Sequence, residues 1–251
     1  MAKYRKTELS LKERAKIVGA ERKLTKLIPI IMSCIAVLCV LVYVVSVMYS
    51  KFGDFTVAIQ KFDYVEYGLS LSETRDFANP TSSLNCRATE IITNIDGASL
   101  DNKDLGAIDG EDSGENYLCY TFYLRNSGTE GVSFNYSIFI EEMTMDIEKA
   151  VRIRLISGLL DGEKTKVDYA RVSAEKDEHG DFKKESVFCD EMFISKNSVC
   201  DNKIGDFKTG EIMKFTVVIW LEGNDPECLD DIIGGEFKIG MTFKINGGAE
   251  E

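Results

Sequence analysis

The feature that most constrains this sequence is a run of 24 residues, 27–50, that lies between Lys26 and Lys51 and contains no charge. It is rich in Leu, Ile and Val, and a helix of this length, rising about 1.5 Å per residue, crosses a hydrocarbon core of about 30 Å. A helix on the surface of a soluble protein keeps a polar face, which this run lacks, and a wholly buried helix of this length is uncommon. We therefore predict a single transmembrane helix at residues 27–50. Cleavage after Ser46 or Ser50 stays open as the alternative, although the run is long for a signal peptide.

The predicted span separates a basic segment from an acidic one. Residues 1–26 hold nine Lys or Arg and three Glu, a net charge of +6. Because the whole chain carries −12, residues 27–251 carry −18. The positive-inside rule then places a basic head, 1–26, in the cytoplasm and residues 51–251 outside the cell membrane. The lipid bilayer is the expected partner of the span, and nucleic acid is not an expected partner of so acidic a domain.

Period-two alternation of apolar and polar residues dominates the sequence from Phe55 onward, which is typical of half-buried strands. The strongest strands are expected at 118–124, 132–140, 151–155, Ile212–Leu221 and Phe237–Ile245. Weaker strands are expected at 55–62, 86–93, 166–172 and 187–195. The run Ile212–Leu221 becomes apolar on both faces towards its end, which predicts a central strand and a core position for Trp220.

Many short strands joined by Gly, Asn and Asp turns predict a mainly β fold, an antiparallel β-sandwich that is jelly-roll-like, over residues 51–246. Residues 247–251 would be a tail. Two short helices should interrupt the strands, at 146–150 and at 225–233. The second begins with a capping aspartate and a first-turn proline and ends before Gly234.

Few residues carry recognisable chemistry. His179 is the only histidine and lies in a solvated turn, so paired histidine ligands for zinc are excluded. Two acidic clusters are candidate sites for calcium or for carboxylate catalysis. They comprise Asp109, Glu111, Asp112 and Glu115, and then Glu222, Asp225, Glu227, Asp230 and Asp231. We take the second cluster as the candidate calcium site, but neither has the spacing of a calcium loop, and a solvated acidic face is the alternative. No other cofactor is expected.

Five of the seven cysteines lie outside the predicted span, so they cannot all pair with one another. Cys189 and Cys200 are the best candidates for a disulfide, because a hairpin between them could bring them together. Free, buried thiols are the alternative for this pair.

One segment resembles a known family. Residues 120–130, Tyr-Thr-Phe-Tyr-Leu-Arg-Asn-Ser-Gly-Thr-Glu, followed by the strand at 132–140, resemble the TasA/camelysin group of exported bacterial surface and biofilm-matrix proteins. The layout, one hydrophobic segment and then an acidic β domain, is similar over about residues 50–246. The resemblance implies surface or matrix assembly rather than catalysis.

These observations favour a non-enzymatic, membrane-anchored extracellular surface protein that self-associates, as in matrix or fibre assembly, or contacts envelope components. The alternatives are an extracellular hydrolase that uses the acidic clusters and a ligand-binding sensor ectodomain. The candidate assembly strand carries Phe55, Val57 and Ile59, directly after the span. It either completes its own sheet or adds to the open edge of a neighbour's sheet.

Overall fold

The computed structural model describes residues 29, 32–41, 55–60, 68–86, 93–172, 178–180 and 188–246. The chain divides into two compact units, Met1–Ser50 and Lys51–Glu251. In the first unit, Pro29 and residues 32–41 are helical and exposed. The rest of the predicted span, the basic head and the tail at 247–251 lie outside the described residues. Within the described part of the chain, no helix is long and apolar enough to cross a membrane.

The described part of the second unit is mainly β structure, with twelve strands in two sheets. In chain order the strands are β1 Phe55–Ile59, β2 Leu69–Ser72, β3 Ser83–Cys86, β4 Gly110–Glu111, β5 Tyr117–Asn126, β6 Val132–Met143, β7 Val151–Leu159, β8 Thr165–Ala170, β9 Glu191–Met192, β10 Ser198–Phe207, β11 Ile212–Leu221 and β12 Phe237–Ile245. The smaller sheet has the order β10-β6-β12-β1-β3. The larger has the order β2-β5-β11-β7-β8-β9, and β4 also pairs with β5.

The two sheets pack face to face around one hydrophobic core. Phe122 of β5 and Phe215 of β11 stack within the larger sheet, with ring centroids 5.4 Å apart. Phe243 of β12, in the smaller sheet, meets these rings edge-on at 6.2 and 5.3 Å. Such aromatic pairs add about 0.5–1.5 kcal/mol each beyond the area that they bury. The strand-rich fold predicted from alternation is therefore confirmed.

The strong strand predictions are confirmed, and β11 and β12 have the predicted bounds. Of the weaker predictions, the strands expected at 55–62 and 166–172 are confirmed as β1 and β8, whereas the other two need correction. Only Cys86 of the strand expected at 86–93 is observed in a strand, as the last residue of β3, and 87–92 lie outside the described residues. The strand expected at 187–195 is reduced to β9, and β2, β4 and β10 were not predicted. β10 is an edge strand with two register shifts and a largely polar sequence, so it lacks clean alternation.

The two predicted helices are present only as single turns of 3-10 helix, Ile147–Lys149 and Asp230–Ile232. Asp146 opens the first turn in a left-handed conformation, and Ile233 leaves the second in an extended one. The first connection, 144–150, is short, and in the second the chain becomes extended at Ile233, so neither turn continues into an α-helix. One further helical turn, Ala98–Asp101, lies between β3 and β4, where no helix was predicted.

A second, smaller core lies on the outer face of the larger sheet. It consists of Leu100, Tyr117, Cys119, Val218 and Trp220, with Phe188 packed against it. Trp220 is 1% exposed, and its ring meets that of Phe188 edge-on at 5.9 Å. The prediction that Trp220 is a core residue is therefore confirmed. The segment around Ala98–Asp101 covers this face, so β11 is buried on both sides.

Candidate functional regions: the first strand and the charged outer face

β1, the candidate assembly strand, occupies an interior position in the smaller sheet. It pairs in parallel with β12 and antiparallel with β3. Phe55, Val57 and Ile59 all point into the core and are buried. The Phe55 ring meets those of Tyr120 and Phe122, from the opposite sheet, at 6.0 and 6.4 Å. In this structure β1 therefore completes its own sheet, and exchange between molecules stays a prediction.

The parallel direction of β1 sets it apart within its sheet. Among the described strands of the smaller sheet, every other pairing is antiparallel. A parallel neighbour cannot be joined by a tight hairpin, so the β1–β12 pairing depends on no local turn. The described pairing of β3 in this sheet is with β1 alone. β1 therefore lies between β12 and β3 and is held there by backbone hydrogen bonds and three apolar side chains.

A buried arginine dominates the outer face of the larger sheet. The Nε and Nη2 atoms of Arg154 donate to the two carboxylate oxygens of Asp168, at 2.7 and 2.9 Å. Its Nη1 donates to Asp101 at 2.7 Å, and its guanidinium lies 5.3 Å from the centroid of the Trp220 ring. Burial alone would lower the pKa of Arg154, but the carboxylates of Asp168 and Asp101 outweigh that effect and raise it. Arg154 thus ties β8 and the Ala98–Asp101 turn to β7.

Two more ion pairs secure the same end of this sheet. Arg152 donates to Asp225 at 2.5 Å, and both side chains are fully buried. Arg171 donates to Oε1 of Glu148 at 2.9 Å. Glu148 is fully buried, and its Oε2 has no hydrogen-bond partner among the residues that the structure describes. These pairs hold the connections that precede β7 and follow β11 against the body of the sheet.

The structure does not assemble the candidate calcium ligands into one group. The Oε2 of Glu222 accepts hydrogen bonds from the Trp220 indole and the Gly97 backbone N–H, both at 3.0 Å. Asp225 is committed to Arg152, whereas Glu227 is half-buried and Asp230 and Asp231 are exposed. Among the described residues, no group of three or more His, Cys, Asp or Glu is placed to hold a metal ion. The buried members of this cluster bind the protein's own donors, and calcium binding stays a prediction that these contacts do not support.

The first acidic cluster is spread along one edge of the outer face. Asp109 accepts a hydrogen bond from the hydroxyl of Tyr123, and Glu111 lies in β4. Burial first, and then the Asp109 carboxylate, raises the pKa of Tyr123. This contact ties the segment that carries Asp109 to Tyr123 of β5.

The predicted disulfide between Cys189 and Cys200 is not formed in this structure, where Cys200 carries a free thiol. Cys200 lies in β10 of the smaller sheet and packs into the core, whereas Cys189 precedes β9 of the larger sheet and is half-exposed. Burial raises the pKa of the Cys200 thiol to about 11, so the thiolate required for oxidation is scarce at neutral pH. His179 lies in an exposed turn, as expected from its sequence.

The ion pairs were missed because Arg152 and Arg154 alternate with apolar residues and were therefore expected to face solvent. Their partners Asp225 and Asp101 are 73 and 53 residues away in the sequence. The sequence feature that could have indicated a covered face is the long segment 97–116, since a segment of that length can cover a sheet face.

Comparisons with known proteins do not assign the chain to a family. No family model matches it, and no curated protein matches it. One solved structure, a β-glucosidase from Kluyveromyces marxianus in complex with glucose, aligns with 11% identity over 77% of this chain and 17% of that chain. The TM-score of 0.22 is too low to support any argument about fold or activity. The chain thus spans about a sixth of the length of that protein.

Proposed function

We propose that this chain is a non-enzymatic, membrane-anchored extracellular surface protein whose β domain assembles with further copies of itself. The uncharged run at 27–50, the +6 charge before it and the −18 charge from residue 27 onward support a span with the N-terminus inside. Partners are then the lipid bilayer and, through the β domain, a second copy or an envelope component.

The order of the strands supports a jelly-roll-like form of the domain. From β5 to β7, and again from β10 to β12, successive strands alternate between the two sheets. Four strands of each sheet then read β1-β12-β6-β10 and β5-β11-β7-β8, as in two Greek keys. The parallel pairing of β1 with β12 is the departure from an all-antiparallel jelly roll.

The observation that carries the proposal is the position of β1. The strand fills a slot between β12 and β3 without a hairpin to β12, and its apolar residues complete the core. The same five-residue segment from another copy presents the same backbone groups and the same three side chains. Strand exchange therefore replaces each native contact by an equivalent one, which is the physical basis of strand addition.

The anchor controls this exchange. Five residue steps join Ser50 to Phe55, and at no more than about 3.6 Å per residue they span at most about 18 Å. While the span is retained, β1 has little reach to another molecule. Cleavage between Ser46 and Ser50 releases β1, so assembly follows processing.

Two preparations test the proposal, residues 51–251 and residues 63–251, measured by light scattering at rising concentration. We expect 51–251 to form larger species. Because 63–251 lacks β1, it should form them only if residues 55–62 are supplied as a peptide that is covalently attached to another copy of the domain. A free peptide of residues 55–62 should instead fill the slot and yield a monomer. If 51–251 stays monomeric at every concentration and salt, β1 is simply the first strand of the domain.

The membrane orientation is tested separately on intact cells. Protease added outside should degrade the β domain and leave a protected N-terminal fragment. Protection of the whole chain would contradict the proposed orientation.

A further inference from the structure

The exposed apolar residues of the second unit are concentrated at one end of its sheets. In its described part, the large apolar side chains that are exposed are Ile108, Met145, Leu159, Met192, Ile194, Leu229 and Ile233. Five of these seven lie in or beside the connections β6–β7, β9–β10 and β11–β12. Four of those five, Met145, Ile194, Leu229 and Ile233, are between 57 and 71% exposed.

The strand registers place these three connections at the end where the chain enters the domain. β1 begins opposite Ile239, near the start of β12, and β12 begins opposite the end of β6. β10 also begins beside the last half of β6, and β7 begins opposite the end of β11. We call this end, comprising residues 144–150, 193–197 and 222–236, the entry end.

The connections of the entry end are bound to one another and to the sheets. The backbone N–H of Thr144 donates to the carbonyl of Glu236 at 3.0 Å, and the N–H of Glu236 donates to Oγ1 of Thr144 at 2.8 Å. The buried Arg152–Asp225 pair fixes the start of the connection between β11 and β12. These hydrogen bonds and this ion pair hold the connections in place, so the apolar side chains stay on the surface and do not fold back into the core.

We infer that the entry end rests on the membrane surface, with Met145, Ile194, Leu229 and Ile233 inserted among the lipid headgroups. The inference rests on the proposed anchor at residues 27–50. Only residues 51–54 separate that run from Phe55, so the link spans at most about 18 Å, while headgroups extend about 5–8 Å beyond the hydrocarbon. The end that carries the apolar side chains is thus the end that the anchor keeps beside the bilayer. Exposed apolar side chains of this kind are stabilised at a membrane interface.

The charges of the entry end decide which lipids it prefers. Asp146, Asp230 and Asp231 are exposed there, against Lys149 and Lys196. Lys149 is already paired with Asp146 at 3.1 Å. An acidic surface is repelled by anionic headgroups, so apolar burial drives the contact, which should be tighter on zwitterionic lipid and should persist at high salt.

The test uses the full chain reconstituted in phosphatidylcholine vesicles, with or without brominated acyl chains that quench tryptophan on contact. Ile233→Trp and, as a second variant, Leu229→Trp place a fluorophore at the entry end. Leu159→Trp is the matched control, because Leu159 is exposed at the opposite end of β7. The native Trp220 is buried and reports that each variant is folded.

We expect brominated lipid to remove the emission added at positions 233 and 229 and to leave that at 159 unchanged, while aqueous acrylamide does the reverse. Acrylamide quenching at all three positions without quenching by lipid would overturn the inference. An alkaline carbonate wash distinguishes failure of the proposed anchor from failure of the inferred membrane contact. If the wash strips the chain from the vesicles, the anchor fails and the inference falls with it. If the chain is retained but position 233 stays aqueous, the inference alone is wrong.

Discussion

The outer face of the larger sheet and the β1 slot of the smaller sheet are held by different kinds of contact. On the outer face, Arg154 is matched to Asp168 and Asp101 by three directional, charge-assisted hydrogen bonds. In the slot, β1 contributes ladder hydrogen bonds and the side chains of Phe55, Val57 and Ile59. Ladder bonds and apolar contacts are reproduced by any equivalent strand, whereas the ion pairs fix covering segments of the same molecule. The outer face is therefore a locked region, and the β1 slot is the region for which we propose exchange.

The largest effect should come from removing the centre of the locked region. Trp220→Ala should destabilise the domain by about 3–5 kcal/mol, because it leaves a cavity on the outer face. It also removes a donor from the buried Glu222 carboxylate. Urea unfolding followed by circular dichroism measures the change. Trp220→Phe, which keeps most of the volume, should cost less, and an equal cost would show that the lost hydrogen bond dominates.

Breaking a fully buried ion pair should have an effect of similar size. Asp225→Ala removes the carboxylate that lies 2.5 Å from the guanidinium of Arg152 in a fully buried pair, at a cost of about 3–5 kcal/mol. The double variant Arg152→Met with Asp225→Leu is the matched control, because it removes both charges and keeps the volume. It should be much closer to the wild type in urea midpoint. If the single and double variants lose equal stability, the cost comes from packing rather than from the loss of this ion pair.

The exposed member of the network should give a smaller, pH-dependent effect. Burial alone would raise the pKa of Asp101, but its hydrogen bonds with Lys166 and Arg154 outweigh this and lower it below 3.8. The stability that Asp101 contributes is therefore complete well above pH 3.8 and is lost as the pH falls through its lower folded pKa. The difference in stability between wild type and Asp101→Asn should shrink in acid, as measured by thermal unfolding from pH 7 to pH 2.5. A constant difference would mean that the charge of Asp101 is irrelevant.

The smallest expected effect is a difference in amide hydrogen exchange between the two regions. Amides of β1 and β3 should exchange faster than those of β11, because β11 is buried on both faces while β3 is an edge strand. Mass spectrometry of peptide fragments measures this order. Equal protection of β1 and β11 would place both strands in one cooperative unit.

Strands could be predicted from the sequence where one face of the strand, or both faces, are buried. In β12 each second residue faces the core, and in β11 the continuous apolar run marks a strand covered on both faces. Prediction failed where burial depends on distant parts of the chain. The arginines of β7 look like solvent-facing residues until the segment around Asp101 and the carboxylate of Asp225 are brought over them. Glu222 looked like a calcium ligand for the same reason, since its indole and backbone donors come together only in the folded chain.

The candidate assembly strand was predictable in position but not in context. Alternation at Phe55, Val57 and Ile59 indicated a strand with one buried face. Pairing direction and neighbours are tertiary properties, and no local pattern near β1 indicates that β12 lies beside it in parallel.

A reversible disulfide that locks β1 to β12 tests whether β1 is exchanged between copies. Ala58 and Thr242 lie directly opposite each other on β1 and β12, and both are only half-buried. Adjacent strands are about 4.8 Å apart, within the range that a disulfide bridges. A variant of residues 51–251 with Ala58→Cys and Thr242→Cys should therefore be held in its own slot when oxidised and released when reduced. The control with Ser137→Cys and Thr242→Cys locks β6 to β12 and leaves β1 unrestrained.

Light scattering of both variants, oxidised and reduced, gives the decisive comparison. The β1–β12 lock should stay monomeric when oxidised and assemble when reduced, whereas the β6–β12 lock should assemble in both states. Assembly of the oxidised β1–β12 lock to the same extent as its reduced form would contradict the claim that β1 is the strand exchanged between copies.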